Sequence, residues 1–168
     1  MELTIIIKIQ SWIRGILQRR KYLISHSCYQ TKEWRRNRKW YKTGKLNECE
    51  KYQIDLLEKI LCLKLNKTNE RINMETIEII NKMKPMILEN GYEWSENFDG
   101  KITIKENIYY FNLKFICDAG GAQTRTLREV YHFIKYQLEY LCISTHNKKN
   151  IYFINILDGD TSYLNINK

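Results

Sequence analysis

The sequence predicts an α/β domain carried behind a basic helical arm. Three observations predict it. Apolar residues recur at helical spacing in residues 47–63 and 124–143. The run Tyr109-Tyr110-Phe111-Asn112-Leu113-Lys114-Phe115-Ile116-Cys117 reads as an apolar strand, and a buried strand, Ile151 to Leu157, follows the later helix. The charge is divided unevenly: the formal net charge is +9, yet residues 1–45 hold 12 Lys/Arg against 2 Asp/Glu and residues 46–168 hold 16 against 17. Domain boundaries are therefore placed at 1–45 for the arm and 46–168 for the α/β part. The 168 residues suffice for one ordinary core.

Residues 4–24 read as an amphipathic helix. Ile5, Ile9, Trp12, Ile13, Ile16 and Leu17 line one side, and Lys8, Arg14, Arg19, Arg20 and Lys21 fill most of the rest. Residues 28–45 interleave basic residues with Trp34, Trp40, Tyr29 and Tyr41. Lys and Arg neutralise phosphates and aromatic rings stack on bases, so Arg35, Arg36, Arg38 and Lys39 are candidate nucleic-acid contacts. A linker helix packing its tryptophans on the core is the alternative.

Asn47 is placed to cap the helix that follows, with Glu48 and Glu50 complementing its dipole. Tyr52, Leu56, Leu57, Ile60, Leu61 and Leu63 form its expected buried stripe. Residues 64–72 read as a polar loop. Asn73 then caps an expected second helix to about residue 89, with Ile77, Ile80 and Ile87 inward and Pro85 as a kink. Asn90-Gly91 stops it. Strands are expected over 92–98, 101–105 and 108–117, joined by Gly100 and by Glu106-Asn107. A Gly-rich loop over 118–123 leads to a helix capped by Thr124 or Thr126, with Leu127, Val130, Tyr131, Ile134, Leu138 and Leu141 inward. The strand Ile151–Leu157 is most simply placed in the same sheet, because a crossover helix precedes it.

The five cysteines are odd in number and contain no Cys-x-x-Cys pair. A disulfide framework and a zinc site are not expected, and an intracellular setting, cytoplasm or nucleus, fits. No apolar run reaches the ~20 residues of a membrane span. The apolar start, interrupted by Lys8, is not expected to be a signal peptide. No P-loop or Rossmann fingerprint occurs.

The candidate chemistry lies around Phe98-Asp99-Gly100 and Asn112-Leu113-Lys114. Residues two apart on a strand share a face, so one hairpin face would present an Asp, an amide and a Lys. Asp and an amide oxygen bind hard cations such as Mg²⁺, and a Lys neutralises charge growing on a phosphate. His132 reads as a partly buried structural histidine, and Asp158 and Asp160 as turn residues.

Those residues, with the element order helix, three strands, helix, strand and the passage Gly120-Gly121-Ala122-Gln123-Thr124-Arg125, resemble the PD-(D/E)XK nuclease superfamily, which includes many type II restriction endonucleases. The resemblance covers residues 46 to 162. It implies a restriction-endonuclease-like core, with a central mixed sheet flanked by helices, that hydrolyses DNA phosphodiester bonds with Mg²⁺ or Mn²⁺. Asp99 matches the first motif position and Lys114 the last, while Asn112 replaces the second acid. Asp99 and Asn112, with Glu48 or Glu50 from the preceding helix, would hold the metal. Lys114 would act on water, and Gln123 would orient it. Arg125 and Arg128 would meet the DNA backbone, and pairs of such subunits cut both strands. The alternative is an inactive DNA-binding relative that lost cleavage through the Asn112 change.

The arm carries a second resemblance. Ile9-Gln10-Ser11-Trp12-Ile13-Arg14-Gly15-Ile16-Leu17-Gln18-Arg19 resembles the IQ motif, in which Ile-Gln, Arg-Gly and a further basic residue recur at this spacing. It implies an interaction protein whose helix is gripped by a calmodulin-like partner, with Ile9, Gln10, Arg14 and Arg19 in contact. Anionic lipid or DNA are the other partners a basic amphipathic helix suits.

Overall fold

A computed structural model describes residues 36–38, 48–116, 120–143, 150–159 and 161. The amphipathic segment 4–24, including Ile9, Gln10, Arg14 and Arg19, lies outside the described residues, as do Arg35, Lys39 and Asp160. Arg36 and Arg38 are described and exposed.

Helix α1 runs Glu48–Leu61, with Glu48 and Glu50 in its first turn. Strands follow as β1 Glu70–Asn73, β2 Glu78–Asn81, β3 Ile87–Leu88, β4 Gly91–Tyr92, β5 Ser95–Asn97, β6 Gly100–Ile104 and β7 Asn107–Phe115. Helix α2, Gly121–Ile143, leads to β8, Ile151–Asp158. The protein is mixed α/β, with sheets ordered β2-β1-β5, β3-β4 and β6-β7-β8. Among the described residues no helix is long and apolar enough to cross a membrane.

The crossover strand joins the sheet as expected. Ile108 N–H donates to the Asn150 carbonyl at 2.6 Å and Ile116 N–H to the Asp158 carbonyl at 2.8 Å. The same offset at both ends means that β7 and β8 run parallel. Strands β6 and β7 pair antiparallel, Gly100 opposite Phe111 through Ile104 opposite Asn107. Their connection is the two-residue loop Lys105-Glu106, with Lys105 at φ 53°.

Residues 73–89 do not form the expected helix. The Asn73 side chain does cap: its Oδ1 accepts the N–H groups of Glu75 at 2.8 Å and Thr76 at 3.1 Å. The turn then closes instead of propagating, with Ile77 at φ 58° and its N–H on the Asn73 carbonyl at 2.9 Å. An Asx turn and a helix N-cap share this local chemistry, and here the chain returns as a hairpin. Ile79, packed against the core, is part of the antiparallel β1–β2 pair. Ile87, expected inward, is 76 % exposed on the short β3–β4 hairpin.

Gly100 likewise makes no hairpin turn. Strand β5 pairs with β1 and β6 with β7, so Asp99 stands at a break between two strands of different sheets.

Two compact units contain these elements, one of Met1–Leu65, Leu113–Ala119 and Leu157–Lys168, the other of Asn66–Asn112 and Gly120–Ile156. In the second, Ile72, Met74, Phe98, Tyr110, Phe133 and Tyr140 form the core. Phe98 is 1 % exposed, and its ring centroid lies 4.5 Å from Tyr110, 5.3 Å from Phe133 and 5.5 Å from Phe153. On α2 the buried face is Val130, Phe133, Gln137 and Tyr140. Tyr131, Leu138 and Leu141, expected inward, are exposed.

In the first unit, α1 buries Cys49, Gln53, Leu57 and Leu61, one residue per turn. Tyr52 and Leu56, expected in that stripe, are exposed. The polar Gln53 at an inward position shifted the readable stripe. The Glu58 carboxylate accepts Leu65 N–H at 2.8 Å and fixes the chain leaving the helix.

Candidate functional site

The pleat of β7 places Asn112 and Lys114 on one face. Asp99 N–H donates to the Phe111 carbonyl at 2.9 Å, while Gly100 also stands opposite Phe111. Two residues thus address one partner, the count of a β-bulge. Asp99 and Asn112 belong to the second unit and Lys114 to the first. Asp99, Lys114 and Gln123 are each engaged by neighbours.

Asn112 is 1 % exposed. Its Nδ2 donates to Asn155 Oδ1 at 3.0 Å. Asn155 Nδ2 donates to Gln137 Oε1 at 2.7 Å, and Gln137 Nε2 donates back to Asn155 Oδ1 at 3.2 Å. Three amides, from β7, β8 and α2, therefore interlock inside the second unit. Asn112 Oδ1 is buried without a hydrogen-bond partner among the described residues. Unpaired buried amide oxygens are costly, which marks this position as one the fold tolerates for a reason.

Among the described residues no three His, Cys, Asp or Glu side chains come together as metal ligands. Glu48 pairs with Lys51 at 2.8 Å. Glu50 is half-buried beside it in the first turn of α1. An amide sealed into a hydrogen-bonded interior brings no charge to a metal.

At the start of α2, Thr124 and Thr126 do not cap. The helix already begins at Gly121, and their hydroxyls donate to the carbonyls of Gly120 at 3.3 Å and Ala122 at 3.1 Å. Arg125 pairs with Glu129 on the same helix at 3.0 Å, and Arg128 is exposed. His132 is half-buried, edge-on to Trp94 with ring centroids 6.3 Å apart.

Asp158 ends β8 and accepts the Gly159 N–H at 2.7 Å. Burial pushes its carboxyl up to about 6, against that hydrogen bond. Gly159 has φ +98°, and a Cβ there would sit 2.2 Å from the Ile116 carbonyl oxygen, so only glycine fits beside this strand.

Several buried polar groups had no sequence signal. Glu93 is 6 % exposed. It accepts Met86 N–H at 2.9 Å, Asn73 Nδ2 at 2.9 Å and Lys82 Nζ at 3.4 Å. The Met86 hydrogen bond, with Lys82 nearby, holds its carboxyl below the usual range. Glu70 meets Lys101 at 2.5 Å and Thr68 at 2.9 Å. Burial opposes ionisation of Glu70, but those partners hold its carboxyl low. Burial, then the Glu70 charge, pushes the Tyr110 hydroxyl up. Arg71, read in sequence as part of a loop, is buried in β1.

Residues 4–23 match the family of the IQ calmodulin-binding motif. No curated protein and no solved structure matches the chain. The match spans the segment in which Ile9-Gln10, Arg14-Gly15 and Arg19 stand at the motif spacing.

Proposed function

We propose that this protein is an interaction protein whose N-terminal basic segment is bound by a calmodulin-like partner. The observation that carries this reading is the family match at residues 4–23. An IQ segment offers an apolar stripe and a basic one; a calmodulin-like lobe offers an apolar groove rimmed by acids. Ile9 and Ile13 would enter the groove, Gln10 would meet its backbone, and Arg14 and Arg19 its acidic rim. Binding of the full chain to calmodulin, followed by titration calorimetry with calcium and with chelator, tests it. Replacing Ile9, Gln10 and Arg14 together by alanine is expected to abolish complex formation. Unchanged binding would end the assignment to this motif.

A second reading concerns DNA. It draws on the antiparallel β6–β7 pair continued by α2 and a parallel β8, and on the basic arm. On that reading the α/β part is a nuclease-like domain that cleaves DNA with Mg²⁺, or binds DNA without cleaving it. The sealed Asn112 favours binding without cleavage. A plasmid-nicking assay with Mg²⁺ and Mn²⁺ separates the two. Deleting residues 1–45 should lower DNA affinity and flatten its salt dependence, since the slope counts neutralised phosphates. Affinity unchanged by the deletion would remove the arm from DNA recognition.

A further inference from the structure

Helix α2 carries two apolar stripes, and its own packing uses one. Val130, Phe133, Gln137 and Tyr140 make its buried face. The other stripe is Leu127, Tyr131, Ile134, Leu138 and Leu141, in steps of four, three, four and three residues. Tyr131 is 65 % and Leu138 58 % exposed, Leu141 is exposed, and Leu127 and Ile134 are half-buried. Alternating steps of four and three keep side chains in one line along a helix. Such a line is the seam that a second helix fills with knobs in holes. It runs for about four turns. An exposed apolar surface bordered by charge marks an interaction site.

The borders of the seam differ. In heptad terms Tyr131 and Leu138 stand at a, and Leu127, Ile134 and Leu141 at d. The g positions, Val130 and Gln137, are buried. The e positions are Arg128, Lys135 and Cys142, all exposed. One side of the seam is therefore core, and the other presents two cations seven residues apart. Lys135 lies 3.4 Å from Glu139 on the same helix, with both side chains open to water. A surface pair of this kind is weak and yields to a better-placed acid.

The basic border selects among occupants. The N-terminal arm, with 12 Lys/Arg against 2 Asp/Glu, has the wrong sign. A second copy of α2 does not complement it either. Run antiparallel, it sets Lys135 beside its own copy; run parallel, it sets the cations against the uncharged Val130 and Gln137. We propose that the exposed face of α2 docks an amphipathic helix of a partner protein, one whose apolar seam is bordered by Asp or Glu seven residues apart. The partner's seam covers Tyr131, Ile134 and Leu138, and its acids meet Arg128 and Lys135.

The probe is a fluorescent three-heptad peptide with Leu at a and d and Glu at e and g, titrated with the full chain and read by anisotropy. Saturable binding that weakens as salt rises is expected. A scrambled peptide of the same composition, and one with Lys in place of Glu, should each bind about tenfold more weakly or worse. Leu138→Ala, at an exposed helical site that tolerates alanine, should also weaken the Glu peptide about tenfold. Replacing Arg128 and Lys135 together by Glu should reverse the preference, so that the Lys peptide binds tighter. Both variants leave the arm untouched, which separates this face from general attraction of an acidic peptide to the basic arm. Equal binding of the scrambled peptide overturns the proposal, as does binding that neither variant changes. Affinity that rises when Ile9, Gln10 and Arg14 are replaced by alanine gives the face to the chain's own arm and overturns it too. So does a dimer in sedimentation that Leu138→Ala dissolves, which gives the face to a second copy.

Discussion

The arm and the α/β body differ in how they carry information. Residues 1–45 hold a net charge of +10 and a motif that a family match recognises; residues 46–168 hold a net charge of −1 and match nothing. On the proposed reading the arm is recognised by a partner as a linear pattern of stripes, so its spacing would be its message. The body buries its polar residues in pairings between distant segments, such as Asn112 with Asn155 and Gln137, and no local spacing announces them. If this contrast is right, damage to the body should leave partner binding by the arm intact.

The largest expected effect is at the centre of the aromatic core. Phe98→Ala removes a ring in contact with Tyr110, Phe133 and Phe153. It should destabilise the chain by about 3–5 kcal/mol in urea unfolding. Calmodulin affinity, measured on the same protein, should change less than twofold. A parallel loss of both would show that arm and body are one recognition unit.

A smaller loss is expected at the amide cluster. Asn112→Asp puts a carboxylate oxygen against Asn155 Oδ1 unless the neighbouring amides turn over. A destabilisation of about 1–3 kcal/mol at neutral pH is expected, read as a shifted urea midpoint. A variant as stable as the parent that gains Mg²⁺ affinity in calorimetry would instead support a metal site at position 112.

Asp158 gives a pH signature of similar size. Its carboxyl is raised from 3.8 to about 6 by burial. The folded state therefore holds its proton more tightly, and stability should fall as pH rises from about 4 to 6 and then level off, by roughly 2–3 kcal/mol in all. Asp158→Asn should flatten that decline. An unchanged slope in the variant would assign the pH dependence to other groups.

The smallest effect is expected on the β3–β4 hairpin. Ile87 is 76 % and Tyr92 74 % exposed, so Ile87→Ser should alter stability by no more than about 0.5 kcal/mol. A larger loss would mean that the hairpin is covered in solution.

The legible parts of the fold were those whose pattern is long. Helices α1 and α2, strands β6 and β7, and the crossover to β8 stand close to their expected bounds because each has a sustained apolar period. Residues 73–89 were misread because Asn73 satisfies the first turn of a helix and of an Asx turn with the same hydrogen bonds, and the hairpin is decided by pairing with β5 and by core contacts of Ile79. The Asp99, Asn112 and Lys114 spacing was visible, but burial of Asn112 was not, since an amide two residues from a Lys reads as surface. Arg71 was invisible for the same reason: a basic residue in a polar stretch gives no sign that Ser95, far along the chain, will hold it.

Calorimetric titration of the full chain with calmodulin tests the central claim most directly. A 1:1 complex, formed by the parent and lost when Ile9, Gln10 and Arg14 are replaced by alanine, is the predicted result. No heat of binding with or without calcium, or equal binding by the triple variant, would contradict it.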